Sequence, residues 1–388
     1  MRSLLTLVTA FLFGASLAAQ DFIYYRFDSG CTNEVINYAS GAQALPNNGE
    51  LETTTPTTPW TAGRFGSALA GGSSSSYNRV RTGWDPSTQP ITGDVTIAFF
   101  MKETTAPTSS ANYLMGAPSG GFRLFTNGVA GRGLYQRVLL ASGGNGINAT
   151  IANDFYLPAT TTDVQTLAAR GWVHIAMVVD ATSRTADWYV NGVSVMQLQN
   201  VVGGANIVAA GPFHVGYSGT ASYYAFDEFL LSRRAYSAAE VLSLAHGAHA
   251  GDGRFSSGIT SQCGTATLSG NGTAPYLGNA GYTLHLSTTA TGSFALNIGL
   301  SRCSIGGATP LPLDAGTLSP IAAGCWILTD TLTSAGGGLG GGTVQIPLGI
   351  PILANLAGLD LYAQGLVLIL APQPVLEATG GVALGLGY

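Results

Sequence analysis

Short apolar runs separated by turn residues make up the chain from residue 21 to about residue 246. The clearest runs lie at residues 95–102, 172–180 and 186–195. Their length and their β-branched and aromatic content are typical of strands. The last run contains Asn191-Gly192, which favours a tight hairpin because both residues tolerate positive φ. The pattern predicts an all-β fold, a sandwich or a barrel.

One short helix is expected at residues 237–245, near the end of this region. Ser237 would be its N-cap, and Glu240, three residues later, would complete a capping box.

The composition changes after residue 246. The polar, glycine-rich stretch 247–258 has the character of a linker. Beyond it, strand-like alternation continues in a nearly uncharged region, at residues 282–290, 293–300, 343–350 and 359–370. The glycine run 336–342 suggests a flexible hairpin loop. We therefore expect a first β domain over residues 20–246, a linker, and a second, smaller β domain over residues 259–388.

Charge narrows the choice of partner. Only 9% of the 388 residues are charged, the net charge is −5, and Lys102 is the only lysine. Because phosphate neutralisation needs clustered cations, nucleic acid is not an expected partner.

The first 19 residues have the pattern of a secretory signal peptide. A short basic start at Arg2 precedes the apolar stretch 4–13 and a small-residue site at 16–18. The apolar stretch is too short to span a bilayer, and so is the run 366–370, so no transmembrane segment is expected in the mature chain. We expect a secreted protein, either extracellular or on the cell surface.

Four cysteines would remain after export, at positions 31, 263, 303 and 325. An even number in an oxidising compartment suggests two disulfides, with three possible pairings. We favour Cys303–Cys325 together with Cys31–Cys263. The spacings match no zinc pattern.

Five segments of the first domain carry a family pattern. They are DFIYYRFDSGC (21–31), GRFGSAL (63–69), ITGDVTIAFFMK (91–102), GWVHIAMVVDATSRTADWYVNGVSV (171–195) and FHVGYS followed by FDEFLLSRRAYSAAEV (213–241). Taken together and in this order, they resemble laminin-G-like modules of the concanavalin A-like lectin/glucanase superfamily. Phe100 stands where the family usually has Trp. The resemblance implies a jelly-roll sandwich of two antiparallel sheets.

Catalytic patterns are missing from the sequence. Glycosidases of this fold need two carboxylates flanking the cleaved bond, as in Glu-x-Asp-x-x-Glu on one strand face. That string does not occur, and Asp227 and Glu228, being adjacent, should point to opposite faces. Nucleophile-elbow, zinc-protease and phosphate-loop motifs are also missing. We expect no enzymatic activity.

Sugar binding needs aromatic faces and a few hydrogen-bonding groups, and several aromatic residues are expected in or near loops. These are Tyr77, Trp84, Tyr113, Tyr135, Tyr217, Tyr223 and Tyr224. The segment around Tyr77 is the best candidate, because polar residues and Trp84 lie close to it in sequence. The candidate ligand-binding residues are Tyr77, Asn78, Arg79, Arg81 and Trp84.

Calcium is a possible structural ion. Many modules of this fold hold it through oxygen ligands near the first and closing strands, and the matching acids here are Asp28 and Asp227. Calcium favours such carboxylates.

The leading hypothesis is a secreted, non-catalytic recognition module that binds a glycan or another extracellular surface ligand. One alternative is a structural or adhesive cell-surface protein, favoured by the nearly uncharged second domain. A glycoside hydrolase with an unrecognised acid pair is the other.

Overall fold

The structure, a computed structural model, describes most of the chain after residue 20. The described residues are 21–28, 33–39, 44–45, 48–53, 59–71, 78–106, 111–117, 123–127, 134–137, 155–208, 211–216, 223–247, 254–259, 263–353, 356, 359–370 and 373–386.

Within the described residues, the first domain contains eighteen strands and two helices. The strands are β1 (Asp21–Tyr25), β2 (Glu34–Val35), β3 (Gly49–Thr53), β4 (Trp60–Ala62), β5 (Ser67–Ala70), β6 (Asn78–Arg81), β7 (Ile91–Gly93), β8 (Val95–Glu103), β9 (Ala111–Gly116), β10 (Arg123–Asn127), β11 (Leu134–Arg137), β12 (Phe155–Leu157), β13 (Val173–Asp180), β14 (Thr185–Val190), β15 (Val193–Gln199), β16 (Ala205–Ile207), β17 (His214–Val215) and β18 (Tyr224–Ser232). The helices are α1 (Val164–Arg170) and α2 (Ala238–Ala245).

Two antiparallel sheets pack face to face in this domain. Sheet 1 has the order β15-β14-β13-β8-β18-β5-β4, with β1 also paired to β18, and sheet 2 has the order β12-β11-β10-β9-β17-β6-β3-β2. One large cluster of buried apolar side chains fills the space between them. Burial of this apolar surface is the main favourable term in folding. The predicted all-β sandwich is confirmed.

The predicted hairpin and helix are present. Asn191 (φ 49°) and Gly192 (φ 80°) form the tight turn between β14 and β15. Helix α2 begins after Ser237, and the reciprocal hydrogen bonds of a capping box join Ser237 and Glu240.

The part of the second domain that the structure describes contains eleven strands. They are β19 (Arg254–Ile259), β20 (Thr267–Gly270), β21 (Thr283–Gly299), β22 (Ser304–Ile305), β23 (Thr309–Pro310), β24 (Leu313–Asp314), β25 (Trp326–Ile327), β26 (Thr333–Pro347), β27 (Asp360–Ile369), β28 (Val375–Ala378) and β29 (Gly381–Gly385). Its main sheet has the order β19-β29-β27-β21-β20, with β26 on β21 and β28 on β27. Two 3₁₀ turns lie at Ala315–Thr317 and Pro320–Ala322.

Two sequence predictions are wrong in this domain. Residues 254–258 of the expected linker belong to strand β19, which is paired with Gly381–Gly385. The expected glycine loop lies within β26, where Gly337 faces the ring of Phe294 so closely that a Cβ would lie 3.0 Å from it. Backbone hydrogen bonds hold both segments in the sheet, and a polar or glycine-rich composition does not reveal that pairing.

The favoured disulfide pairing is also wrong. Cys263 is bonded to Cys325, with a Cα–Cα distance of 5.1 Å. Cys303 is disulfide-bonded as well, and Cys31 lies outside the described residues. Cys263 forms a backbone bridge with Ala378, and Cys325 lies in the same apolar cluster as Ala378. Sequence spacing does not encode these long-range contacts.

The two domains share a buried contact. Tyr24 and Tyr38 of the first domain belong to one apolar cluster with Leu328, Tyr362 and Ala383 of the second. The outer face of sheet 1 is therefore partly covered by the second domain. Among the described residues, no helix has the length and apolarity needed to cross a membrane.

Candidate functional site

A row of aromatic residues crosses four neighbouring strands of sheet 2. Tyr113 on β9 is paired with Phe125 on β10, Phe125 with Tyr135 on β11, and Tyr135 with Tyr156 on β12. We call these four residues the aromatic ladder. Since neighbouring strands lie about 4.8 Å apart, the ladder extends roughly 14 Å across the sheet.

Tyr113, Phe125 and Tyr156 of the ladder lie on the side of sheet 2 that faces away from the core. Side chains alternate along a strand, and the residues that flank the ladder positions point inward. These fully buried flanking residues are Leu114, Leu124, Leu134, Phe155 and Leu157. Tyr113, Phe125 and Tyr156 are only half-buried.

Contacts along one end of the ladder fix its rings. The ring centroids of Tyr113 and Phe125 are 5.3 Å apart, with a tilt of 49° between the planes. The Arg123 guanidinium lies 5.1 Å from the Tyr113 centroid, and its Nη1 donates a hydrogen bond of 2.7 Å to the Tyr113 hydroxyl. A platform of partly exposed rings beside a cation is therefore already assembled.

Charged residues lie on the same outer face, beyond β17. Arg79 and Arg81 on β6 pair in register with Glu52 and Glu50 on β3. The Arg79 Nη2–Glu52 Oε2 distance is 2.6 Å, and Arg81 forms an ion pair with Glu50. His214 Nε2 lies 3.6 Å from the Glu52 carboxylate. We call these five residues the ionic patch.

His214 is uncharged at neutral pH. Burial, and then the neighbouring charge of Arg79, lower its pKa to about 4. The charge of the ionic patch is therefore carried by its arginines and glutamates.

The family match covers the middle of this sandwich. The model of the concanavalin A-like lectin/glucanases superfamily matches residues 74–242, which include every strand of the ladder and most of the ionic patch. Residues 74–242 are therefore similar to this superfamily. No curated protein matches the sequence.

Several solved structures are similar to this chain. Domain 4 of the extracellular arabinanase AbnA from Geobacillus stearothermophilus, in complex with arabinotriose, is 17% identical, with a TM-score of 0.39 over 59% of this chain and 99% of that one. The binding domain of Paraclostridial Mosquitocidal Protein 1 is 15% identical, with a TM-score of 0.40 over 70% of this chain and 64% of that one. The receptor binding domain of a botulinum neurotoxin C/D mosaic serotype is 9% identical, with a TM-score of 0.40 over 94% of this chain and 92% of that one.

The prediction of ligand binding is wrong for two residues of the lectin-like module, Trp84 and Asn78. Trp84 is fully buried between Phe22 and Phe213, and its Nε1 donates 2.8 Å to the Gln89 carbonyl. Asn78 is buried because it points inward from β6, and its Nδ2 donates 2.7 Å to the Ala70 carbonyl.

The other three predicted residues have different outcomes. Arg79 and Arg81 alternate with the inward positions of β6 and lie in the ionic patch, and their contact with a ligand stays a prediction. Tyr77 lies outside the described residues.

Asp28 and Asp227 both bind the turn at residues 63–67. The Oδ2 atom of Asp227 accepts hydrogen bonds from the backbone N–H groups of Arg64 (2.7 Å) and Phe65 (2.9 Å). The Oδ1 atom of Asp28 accepts one from Ser67 N at 3.0 Å. Where the structure describes the chain, no group of three His, Cys, Asp or Glu side chains is arranged to hold a metal. The calcium site stays a prediction.

A bulge changes the direction of the two adjacent acids in β18. Phe226 and Phe229 both face the sandwich core, so Asp227 and Glu228 between them both lie on the outer side of sheet 1. Glu228 has a φ of +51°, which is the local conformation that inserts the extra residue. The expectation that these acids point to opposite faces is therefore wrong.

Arg26 is the centre of a buried charge cluster at the contact with the second domain. Its guanidinium lies 3.0 Å from Asp28 and 2.6 Å from Asp360, and Nε lies 3.8 Å from Glu228. Tyr38 donates a 2.9 Å hydrogen bond to the same Asp360 carboxylate. Since these acids are buried and bind protein donors, their arrangement joins the domains.

Sequence reasoning missed the ladder as a unit. Tyr113 and Tyr135 were expected in or near loops, and Phe125 and Tyr156 were not singled out. All four lie on strands. Their alignment depends on the register of four strands, which no local motif specifies.

Proposed function

We propose that the chain is exported and that its lectin-like module binds an extended glycan across the aromatic ladder without cleaving it. The observation that carries this proposal is the ladder itself. Aromatic rings offer apolar faces to the C–H face of a sugar ring, and half-buried rings fixed by neighbours lose little conformational entropy on binding.

The flanking charges support a polar ligand. Arg123 lies at the ladder, and the ionic patch continues the same face with Arg79 and Arg81. Carbohydrate sites combine a few fixed polar groups with an apolar platform. The Cys263–Cys325 disulfide supports export of the protein, because disulfides persist in oxidising compartments.

The enzyme alternative has one specific pair of acids. Glu50 and Glu52 are two residues apart on β3 and share the outer face. Each is bound by arginine, whereas a glycosidase acid must transfer a proton to its substrate. Binding without turnover is therefore the better proposal.

The test is binding of the purified chain to a panel of soluble and insoluble polysaccharides, with calcium and again with EDTA. We expect Tyr113→Ala and Phe125→Ala each to weaken binding roughly tenfold or more, because each removes a ring from the platform. The matched control is Tyr276→Ala, since Tyr276 is 43% exposed but lies in the second domain. Circular dichroism confirms that each variant is folded.

The outcomes separate the alternatives. The proposal is contradicted if the ladder variants bind glycan as tightly as the unaltered chain does. It is also contradicted if the unaltered chain binds no glycan. Release of shorter sugars that is lost in Glu50→Gln or Glu52→Gln identifies a hydrolase instead. Loss of glycan binding in EDTA supports a role for calcium. Binding that persists in EDTA shows that calcium is not needed for glycan recognition.

A further inference from the structure

Strand β26 forms a long edge of the second domain. It has 15 residues, Thr333–Pro347, and among the described residues it pairs only with β21. Apart from those strand hydrogen bonds, no backbone bond within the described part of the chain reaches residues 333–347. Alternate N–H and C=O groups of an edge strand point away from its sheet, where they can pair with another chain.

The first half of this edge lacks the features that normally prevent such pairing. Residues 333–347 contain no charged side chain, and residues 333–340 pair with β21 without a bulge. The register shift comes only afterwards, at Gly341 and Gly342, and Pro347 ends the strand. Proteins protect edges with lysine, proline or bulges, and here the bulge and the proline protect only the second half.

We propose that residues 333–340 form a homodimer contact in which β26 of two copies pair antiparallel across a two-fold axis. Such an axis places one residue opposite itself. With the axis at Gly336 or Gly337, small residues face small residues along most of the contact. A second copy also brings no charge to this edge, so no like-charge repulsion opposes the pairing.

Leu332 supplies the apolar contact that glycine lacks. It precedes β26 and is 63% exposed. With the axis at Gly336 it lies opposite Gly340 of the other copy, and with the axis at Gly337 it lies opposite Gly342. Either register leaves room for the leucine on the partner strand, which favours a second copy over an unrelated occupant.

The test is sedimentation analysis of the purified chain over a wide concentration range, without sugar. We expect a monomer–dimer equilibrium, and we expect Gly338→Lys to raise the dimer dissociation constant at least about tenfold, because the two lysines would repel each other close to the axis. A Cβ at Gly338 meets nothing within 4 Å, so the monomer accommodates the lysine. Thr309→Lys, at an exposed site on β23, is the matched control for added charge.

Hydrogen exchange on the unaltered chain provides a second readout. Amides of residues 333–340 should become more protected as concentration rises, while those of the ladder strands should not. A chain that stays monomeric, a dimer unaffected by Gly338→Lys, or protection independent of concentration would each overturn the proposal. None of these outcomes bears on glycan binding.

Discussion

At the scale of single residues, Asp28 links stability to pH. Burial raises the pKa of its carboxyl group from 3.8 to about 8, although the neighbouring Arg26 acts in the opposite direction. The folded chain therefore holds this proton more tightly than the unfolded chain. The resulting stabilisation is complete below about pH 4 and is lost as the pH rises through about 8.

We expect Asp28→Asn to flatten this dependence. Near neutral pH one such proton contributes a slope of about 1.4 kcal/mol per pH unit, and asparagine keeps an oxygen that can accept the Ser67 hydrogen bond without titrating. Urea unfolding at pH values of about 5, 6.5 and 8 measures the slope. Because burial also raises the pKa of Asp227 and Asp360, part of the slope should remain.

Asp85→Asn is the matched control for this change. Asp85 is partly exposed, and hydrogen bonds from Ser87 lower its pKa, so it titrates below the range measured. An equal slope in Asp28→Asn and the unaltered chain, or stability that increases with pH, would contradict the assignment.

At the scale of elements, the turn between β14 and β15 supports helix α2. Gly192 has a φ of 80°, and a Cβ there would lie 2.8 Å from the Leu242 side chain and 3.0 Å from its Cα. Gly192→Ala therefore meets both an unfavourable backbone conformation and a clash with the helix. We expect it to lower the free energy of unfolding by more than about 1 kcal/mol, measured by denaturant titration.

Gly93→Ala separates the two contributions. Gly93 also has a positive φ, of 91°, but a Cβ there meets nothing within 4 Å. It should therefore cost only the backbone term and destabilise the chain less than Gly192→Ala. Equal losses would show that the contact with α2 is unimportant.

Elements with a local signal could be predicted from the sequence. The Asn191-Gly192 turn and the capping box of α2 depend on neighbouring residues, and both are present. The bulge at Glu228 and the sheet position of the glycines in β26 depend on partner strands. The prediction from strand alternation was therefore wrong for Asp227 and Glu228, and the prediction from composition was wrong for the glycine run. The ladder was missed for the same reason, since four registers align it.

At the scale of the whole molecule, distant charges join the two domains. Arg26 contacts Asp360, and Arg302 lies 3.1 Å from Glu34. These pairs connect residues more than 260 positions apart, so the sequence showed two β regions but not the contact between them.

Arg26 should therefore contribute strongly to stability. Above about pH 8, where Asp28 is ionised, Arg26→Met leaves Asp28, Asp360 and Glu228 without their common cation in a buried site. Removing one partner of a buried ion pair costs about 3–5 kcal/mol, and we expect a loss of this size in the free energy of unfolding. Arg81→Met is the control, because the pair of Arg81 with Glu50 is solvent-exposed and should contribute less than about 1 kcal/mol.

A second substitution distinguishes charge from packing in the same cluster. If the cost of Arg26→Met comes from unpaired buried acids, adding Asp360→Leu should recover part of it, because one of those acids is removed. If it comes from lost packing, the double variant should be less stable than Arg26→Met alone. Chemical denaturation is followed by fluorescence and by circular dichroism for four chains: the unaltered chain, Arg26→Met, Asp360→Leu and the double variant. Their free energies of unfolding distinguish the charge explanation from the packing explanation. Coincident transitions would show that the domains unfold together, whereas two separate transitions in Arg26→Met alone would show that this residue couples them.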